Sequence, residues 1–129
     1  MKITIKSFWP AIIWLIFSTI AFCLPGKALP KNDWLAIVQL DKWIHVGLFS
    51  VMIFFWCLPL FHRPSLHFTM PKLLIWISIA FFSYGIVMEF IQHFFISSRS
   101  FDMGDIAADA AGCLIGFLFV KRQQRFIVK

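Results

Sequence analysis

Charged residues are scarce in this chain of 129 residues. Asp, Glu, Lys and Arg together make up 14% of it, and only six of them are acidic. Soluble domains carry about 25% charged residues. A soluble fold of this size could not bury a sequence that is 60% hydrophobic, with a mean hydropathy of +0.84. The composition excludes an ordinary soluble domain and predicts an integral membrane protein.

Cysteine motifs and nucleophile motifs are also absent. Cys23, Cys57 and Cys113 lie in apolar stretches without the spacing of a metal site, and an odd number cannot pair completely. We expect free thiols that pack as small hydrophobic side chains. The sequence contains no serine or cysteine nucleophile motif, and it gives no reason to expect a cofactor.

Four apolar stretches have about the length of a helix that crosses a bilayer, which is about 20 residues. They cover about residues 7–24, 43–61, 73–95 and 106–120. Within lipid these stretches must be helical, because open strands would leave backbone groups unpaired. Gly112 and Gly116 form a GxxxG motif, which lets helices approach closely. The predicted fold is all-α: one membrane domain over residues 1–129, a four-helix transmembrane bundle.

The basic residues predict the orientation of this bundle. Eight of the twelve would lie at one end: Lys2, Lys6, Arg63, Lys72, Lys121, Arg122, Arg125 and Lys129. Because the end that is rich in Lys and Arg faces the cytoplasm, we expect both termini to be cytoplasmic. The acidic residues would all lie in the outer half: Asp33, Asp41, Glu89, Asp102, Asp105 and Asp109.

Polar residues mark the outer ends of the second and fourth predicted spans. Asp41 and His45 are four residues apart and share a helix face, with Lys42 beside Asp41. Asp105 and Asp109 have the same spacing at the start of the fourth span. An acid in a first helical turn complements the helix dipole. Asp109 lies one turn deeper, so capping does not explain it.

Glu89, within the third span, is the most informative residue of the chain. A carboxylate inside a span costs about 2.5–3.5 kcal/mol on insertion scales, so it normally faces the protein interior and has a partner. Gln92 lies three residues further on, on the same helix face. Arg99 follows in the loop and can bind an anion or a carboxylate, and Asp102 is the predicted N-cap of the fourth helix.

These positions predict one outward-opening polar pocket among the last three spans. Its expected ligand-binding residues are Asp41, Lys42, His45, Glu89, Gln92, Arg99, Asp102, Asp105 and Asp109. Carboxylates held close together titrate differently and can supply one acid and one base. Glu89, His45 and Asp105 are therefore candidate catalytic residues, and the sequence leaves open whether the pocket modifies its ligand or only binds it.

A metal site is not expected, because the sequence lacks a local HxxxH or a cysteine pair. The alternative is a site built from scattered ligands, for which His45, Glu89, His93 and Asp109 are the acceptable side chains.

The order and spacing of these residues resemble the VanZ-like family of small bacterial membrane proteins. The matching segments are DKWIH at 41–45, EFIQ at 89–92, RSFDMGDIAAD at 99–109 and AGCLIG, which ends at Gly116. The family pattern has an asparagine at the position of Asp109, and its frequent Pro-Gly before the arginine is absent from ISSR.

The resemblance implies a multi-pass protein of the bacterial cytoplasmic membrane, from a family linked to glycopeptide resistance. Together, the resemblance and the predicted pocket suggest a cell-envelope protein that binds a lipid-linked or headgroup ligand. Modification of that ligand by the protein is left open. The expected partners are membrane lipid and a lipid-linked cell-wall precursor, with no nucleic acid; no oligomeric state is predicted. The alternative is a non-catalytic scaffold or subunit whose polar cluster only fixes helix packing.

Overall fold

A computed structural model of the protein describes residues 5–25, 39–61 and 69–127, with side chains described as far as residue 124. This part of the chain contains a short 3-10 helix (Ile5–Phe8) and no strand. Its four α-helices are α1 (Trp9–Phe22), α2 (Leu40–Phe61), α3 (Met70–Phe95) and α4 (Met103–Ile127). Each is long and apolar enough to cross a membrane, α1 together with the 3-10 helix. The predicted all-α membrane bundle is confirmed.

Three helices begin three residues earlier than the apolar stretches predicted. The first turn of a helix has unpaired N–H groups, so it accepts polar residues and proline. Asp41 accordingly lies in the first turn of α2, and Pro71 lies at the start of α3. At its other end α4 continues past Lys121 and Arg122 to Ile127, because a helix that leaves the apolar layer can carry charged side chains.

The closest packing in the bundle is between α2 and α4, which run in the same direction. A Cβ atom on Gly112 would lie 2.6 Å from the Val46 carbonyl oxygen, and one on Gly116 would lie 2.8 Å from Ile53 Cβ. The two helices approach this closely because glycine has no side chain. The Ser50 hydroxyl also donates to the Gly112 carbonyl at 3.0 Å. This contact fixes the start of α4 beside the start of α2.

The other two helices close around this pair through polar as well as apolar contacts. The indole N–H of Trp14 on α1 donates to the Leu48 carbonyl of α2 at 3.0 Å. Thr19 of α1 and Tyr84 of α3 share a hydroxyl hydrogen bond of 2.8 Å. Many large apolar side chains face outward, as expected for contact with lipid. In a membrane, hydrogen bonds between helices, such as these two, help to set which helices are neighbours.

The ends of α1 and α3 and the starts of α2 and α4 meet at one end of the bundle, which we call the polar end. Gln92 Nε2, near the end of α3, donates to the Phe22 carbonyl at the end of α1 at 2.9 Å. Lys42 Nζ, at the start of α2, lies 2.8 Å from Asp102 Oδ2, just before α4. The alternating direction of the four helices therefore brings the predicted polar residues together.

Candidate functional polar cluster

Six polar residues from three helices and one loop form a cluster at the polar end. We call the polar cluster Lys42, His45, Glu89, Asp102, Asp105 and Asp109. Glu89 and Asp109 are 1% exposed, and His45 and Asp105 are 5% exposed. These buried side chains come from α2, α3 and α4, so the convergence expected from the sequence is present. Asp41 lies at the edge of the cluster, 3.7 Å from Lys42 Nζ.

Asp109 binds the imidazole of His45. The distance between His45 Nδ1 and Asp109 Oδ1 is 2.8 Å, and both groups are buried. In the tautomer that donates from Nδ1, the Nε2 atom remains available on the other side of the ring. It lies 3.9 Å from Asp105 Oδ2, which is beyond hydrogen-bond distance. The ring of Phe22 packs against the imidazole, with centroids 4.8 Å apart.

Glu89 has one oxygen that is bound and one that is not. Its Oε2 accepts a hydrogen bond from the backbone N–H of Asp102 at 3.1 Å. Its Oε1 is buried and has no hydrogen-bond partner within the described residues. Because an unsatisfied buried acceptor loses the hydrogen bonds that it would make in water, such atoms are rare in native proteins.

Lys42 connects the start of α2 to the start of α4. Its ammonium donates to Asp102 Oδ2 at 2.8 Å and to Asp105 Oδ1 at 3.1 Å. Asp102 Oδ1 accepts the N–H of Gly104, the second residue of α4, at 2.6 Å, which is N-cap geometry. The hydrogen bond from Lys42 lowers the pKa of the Asp102 carboxyl below its ordinary value, and the Gly104 N–H acts in the same direction.

Two residues expected at the ligand site have other contacts. Gln92 is buried and directs its amide N–H to Phe22 of α1, so it joins helices outside the polar cluster. Arg99 Nε donates to the Leu24 carbonyl at 3.4 Å. Within the part of the chain that the structure describes, Arg99 forms no ion pair with a carboxylate. Its guanidinium therefore remains suited to the other expected partner, an anion.

His93 lies apart from the buried histidine. It is exposed, and its Nδ1 accepts the backbone N–H of Phe101 at 3.3 Å. Among the described residues, a group of potential metal ligands forms instead from His45, Glu89 and Asp105, with one ligand atom of each within 4.8 Å of the other two. Of the four metal ligands that the sequence offered, only His45 and Glu89 belong to this group.

Two glycines that shape the cluster were missed by the sequence reasoning. A Cβ atom on Gly85 of α3 would lie 2.5 Å from Asp109 Oδ2, and one on Gly104 would lie 2.6 Å from Lys42 Cε. Each glycine makes room for a polar side chain of a neighbouring helix. A glycine inside an apolar span is the only sequence signal that could have indicated Gly85.

An open groove of about 240 Å³ lies between α3 and α4, farther from the polar end than the polar cluster. Its lining is apolar and comes from Ile75, Ser78, Ile79, Cys113, Leu114 and Phe117. It is therefore a different feature from the outward-opening polar pocket that the sequence predicts.

The chemistry of the polar cluster is that of an acceptor-rich site. Five carboxyl groups, counting Asp41, surround one lysine and one histidine. A histidine oriented by a carboxylate can act as a base or bind a metal ion. Since Glu89 Oε1 has no described partner, the cluster also retains an acceptor for a proton donor or a cation.

Comparison with known proteins identifies one family. No curated protein and no solved structure matches the chain. A family model described as VanZ/LLP1 matches residues 4–127, which is nearly the whole chain. This match includes all residues of the polar cluster and all four helices, and it confirms the resemblance seen in the motifs. The chain is a multi-pass membrane protein that belongs to the VanZ/LLP1 family.

Proposed function

We propose that this protein acts in the bacterial cell envelope, where the polar end of the bundle faces outward from the cytoplasmic membrane and binds a lipid headgroup or lipid-linked ligand. The observation that carries the proposal is the buried Glu89 Oε1 without a described partner. A cluster that only holds helices together is most stable when all of its buried polar atoms are paired. An unpaired acceptor is instead expected where a ligand supplies the missing partner.

Arg99 supports a ligand that carries an acidic group. It lies three residues before Asp102, which contacts both Lys42 and Glu89. Its guanidinium has no carboxylate partner in the described residues and can bind a phosphate or carboxylate with two parallel hydrogen bonds. Arg99 would hold the acidic group at the edge of the polar cluster.

The apolar groove supports a lipid rather than a small soluble molecule. It lies between α3 and α4, the helices that carry Glu89 and Asp105. Cys113, in its lining, is one helical turn beyond Asp109. An acyl chain in this groove would leave its headgroup close to the polar end. The headgroup of a lipid-linked cell-wall precursor has the required chemistry.

Modification of the ligand is a further step that the cluster could perform. The hydrogen bond between His45 Nδ1 and the accepting Asp109 carboxylate orients the His45 ring as it would orient a general base. Glu89 and Asp105 are the carboxyl groups that could exchange protons beside it. We assign no reaction, because binding alone accounts for the unpaired Glu89 oxygen.

A non-catalytic scaffold is the second candidate function, and two contacts favour it. Lys42 joins α2 to α4, and Gln92 joins α3 to α1. If such contacts are the whole purpose of the polar residues, replacing them should impair folding before any other property changes.

Two variants that remove a charge separate the candidates. Glu89→Gln and Arg99→Gln are expressed in a strain that lacks the native gene, and folded membrane protein and glycopeptide sensitivity are measured. We expect normal folded yield in both variants, together with a glycopeptide sensitivity like that of the strain without the gene. Arg122→Gln, an exposed position near the opposite end of α4, is the matched control and should behave as the unmodified chain. Loss of folded protein in both test variants would support the scaffold instead.

A further inference from the structure

Three buried side chains of the polar cluster direct potential metal ligands into one space. His45, Glu89 and Asp105 each offer one atom, and these atoms lie within 4.8 Å of one another. Zinc ligands lie about 2.0–2.2 Å from the ion, so two ligands of one ion are separated by about 3–4 Å. The distance of 3.9 Å between His45 Nε2 and Asp105 Oδ2 is too long for a hydrogen bond but suits a shared ion.

Glu89 provides an independent indication that the polar cluster receives a ligand. The side chain is 1% exposed. Its Oε1 has no described hydrogen-bond partner, although Lys42 satisfies neighbouring carboxylates. A bound cation would satisfy the unpaired oxygen.

Each of these three side chains is held by a second contact at its other polar atom. His45 Nδ1 is bound by Asp109, Glu89 Oε2 by the Asp102 N–H, and Asp105 Oδ1 by Lys42. Outer contacts of this kind fix the orientation of metal ligands, and a carboxylate on the far nitrogen of a histidine is common. The atoms left over are His45 Nε2, Glu89 Oε1 and Asp105 Oδ2.

We propose that His45, Glu89 and Asp105 bind a divalent transition-metal ion, with Asp109 as the outer residue that positions His45. One imidazole nitrogen and two carboxylate oxygens suit zinc and its neighbours better than calcium or magnesium, which prefer oxygen ligands alone. Three protein ligands leave a coordination position open, as in catalytic zinc sites.

A second set of three acidic residues in this region is not the metal site. Asp41, Asp102 and Asp105 also bring ligand atoms within 4.8 Å of one another. The Lys42 ammonium lies among them, at 3.7, 2.8 and 3.1 Å from their oxygens. A fixed cation already occupies this position, so repulsion would disfavour a metal ion there.

The metal site shares the unpaired Glu89 oxygen with the proposed function, but its ligands His45 and Asp105 do not depend on headgroup binding. It does add to the proposed function, because an ion would offset the excess of carboxylates. Its open position could accept an oxygen of an acidic headgroup. If the protein lacked a metal but kept a Glu89-dependent phenotype, the metal site would be wrong and headgroup binding would stand.

The test measures metal bound by the full chain in detergent. The protein is stripped with EDTA, incubated with Zn²⁺ or Mn²⁺, freed of excess metal and analysed by elemental mass spectrometry. We expect one ion per chain and a higher temperature of thermal unfolding with metal than without. His45→Gln and Glu89→Gln should lose this ion. The matched controls His93→Gln and Asp41→Asn should retain it.

A variant of the outer residue Asp109 keeps the test decisive if replacing a metal-binding residue prevents folding. Asp109→Asn keeps an acceptor for His45 but removes the carboxylate, and outer contacts of this kind change metal affinity by about 10–100-fold. We expect weaker zinc binding by that factor. No metal uptake by the unmodified chain would overturn the proposal, as would loss of the ion in His93→Gln. X-ray absorption that shows a sulfur ligand would also overturn it.

Discussion

Asp109 is a buried carboxylate whose position depends on three helices. One oxygen binds His45 of α2 at 2.8 Å, while the other packs against Gly85 of α3. The residue itself belongs to α4. Capping could not account for it, because it lies one turn too deep, and the family pattern has asparagine at this position. Asparagine still offers one acceptor oxygen, so the contact with His45 is compatible with either residue.

Substitution of Asp109 should separate hydrogen bonding from charge in the stability of the bundle. Asp109→Leu leaves His45 Nδ1 buried without its partner, which should cost about 1–3 kcal/mol. Asp109→Asn retains the acceptor and should stay close to the unmodified chain in metal-free detergent. The stability of both variants is measured by thermal unfolding, with the remaining folded protein detected by size-exclusion chromatography. Equal losses in the two variants would mean that the hydrogen bond from His45 is not what stabilises this contact.

At the scale of the helix, the sequence was sufficient to predict that the four elements exist and that they are helices. Long apolar stretches predicted all four helices, because lipid allows few other structures. The helix starts were less accurate, since Asp41 and Pro71 are compatible with a first turn as well as with a loop. The spacing of Gly112 and Gly116 also correctly predicted a packing face on α4.

Side-chain partners between elements were harder to predict than the elements themselves. Spacing along one helix shows which residues share a face, but not which atom of another helix they contact. Lys42 could be placed near the acids, yet its preference for Asp102 and Asp105 depends on the rotation of both helices. Arg99 follows Ser98, whose positive φ of 64° redirects the loop. No sequence pattern predicted that turn, and the arginine contacts a carbonyl instead of a carboxylate.

The contact between α2 and α4 can be tested with two matched glycine substitutions. Gly112→Ala would bring a Cβ atom within 2.6 Å of the Val46 carbonyl oxygen, whereas Gly47→Ala on α2 would meet no atom within 4 Å. Overpacking of this kind costs about 1–3 kcal/mol. We expect a lower unfolding temperature in detergent for Gly112→Ala and an unchanged or slightly higher one for Gly47→Ala. Comparable losses would argue against close packing at Gly112.

Charge is segregated across the whole molecule in a way that orientation alone does not require. Basic residues set the topology of membrane proteins, while acidic residues contribute little to it. The five acidic residues that the structure describes nevertheless all lie at the polar end. The side chains of Lys6, Lys72, Lys121 and Arg122 belong to the opposite ends of the helices. Concentration of acids at one end is better explained by the polar cluster than by insertion.

Cysteine labelling of intact cells tests the direction in which the polar end faces. We predict that a membrane-impermeant maleimide labels Ser98→Cys, because positive-inside orientation places this loop outside. It should not label Ser65→Cys until the cells are permeabilised. The unmodified chain, with Cys23, Cys57 and Cys113, gives the background in both conditions. Labelling of Ser65→Cys alone in intact cells would reverse the topology, so that the polar cluster would face the cytoplasm and its ligand would have to come from that side.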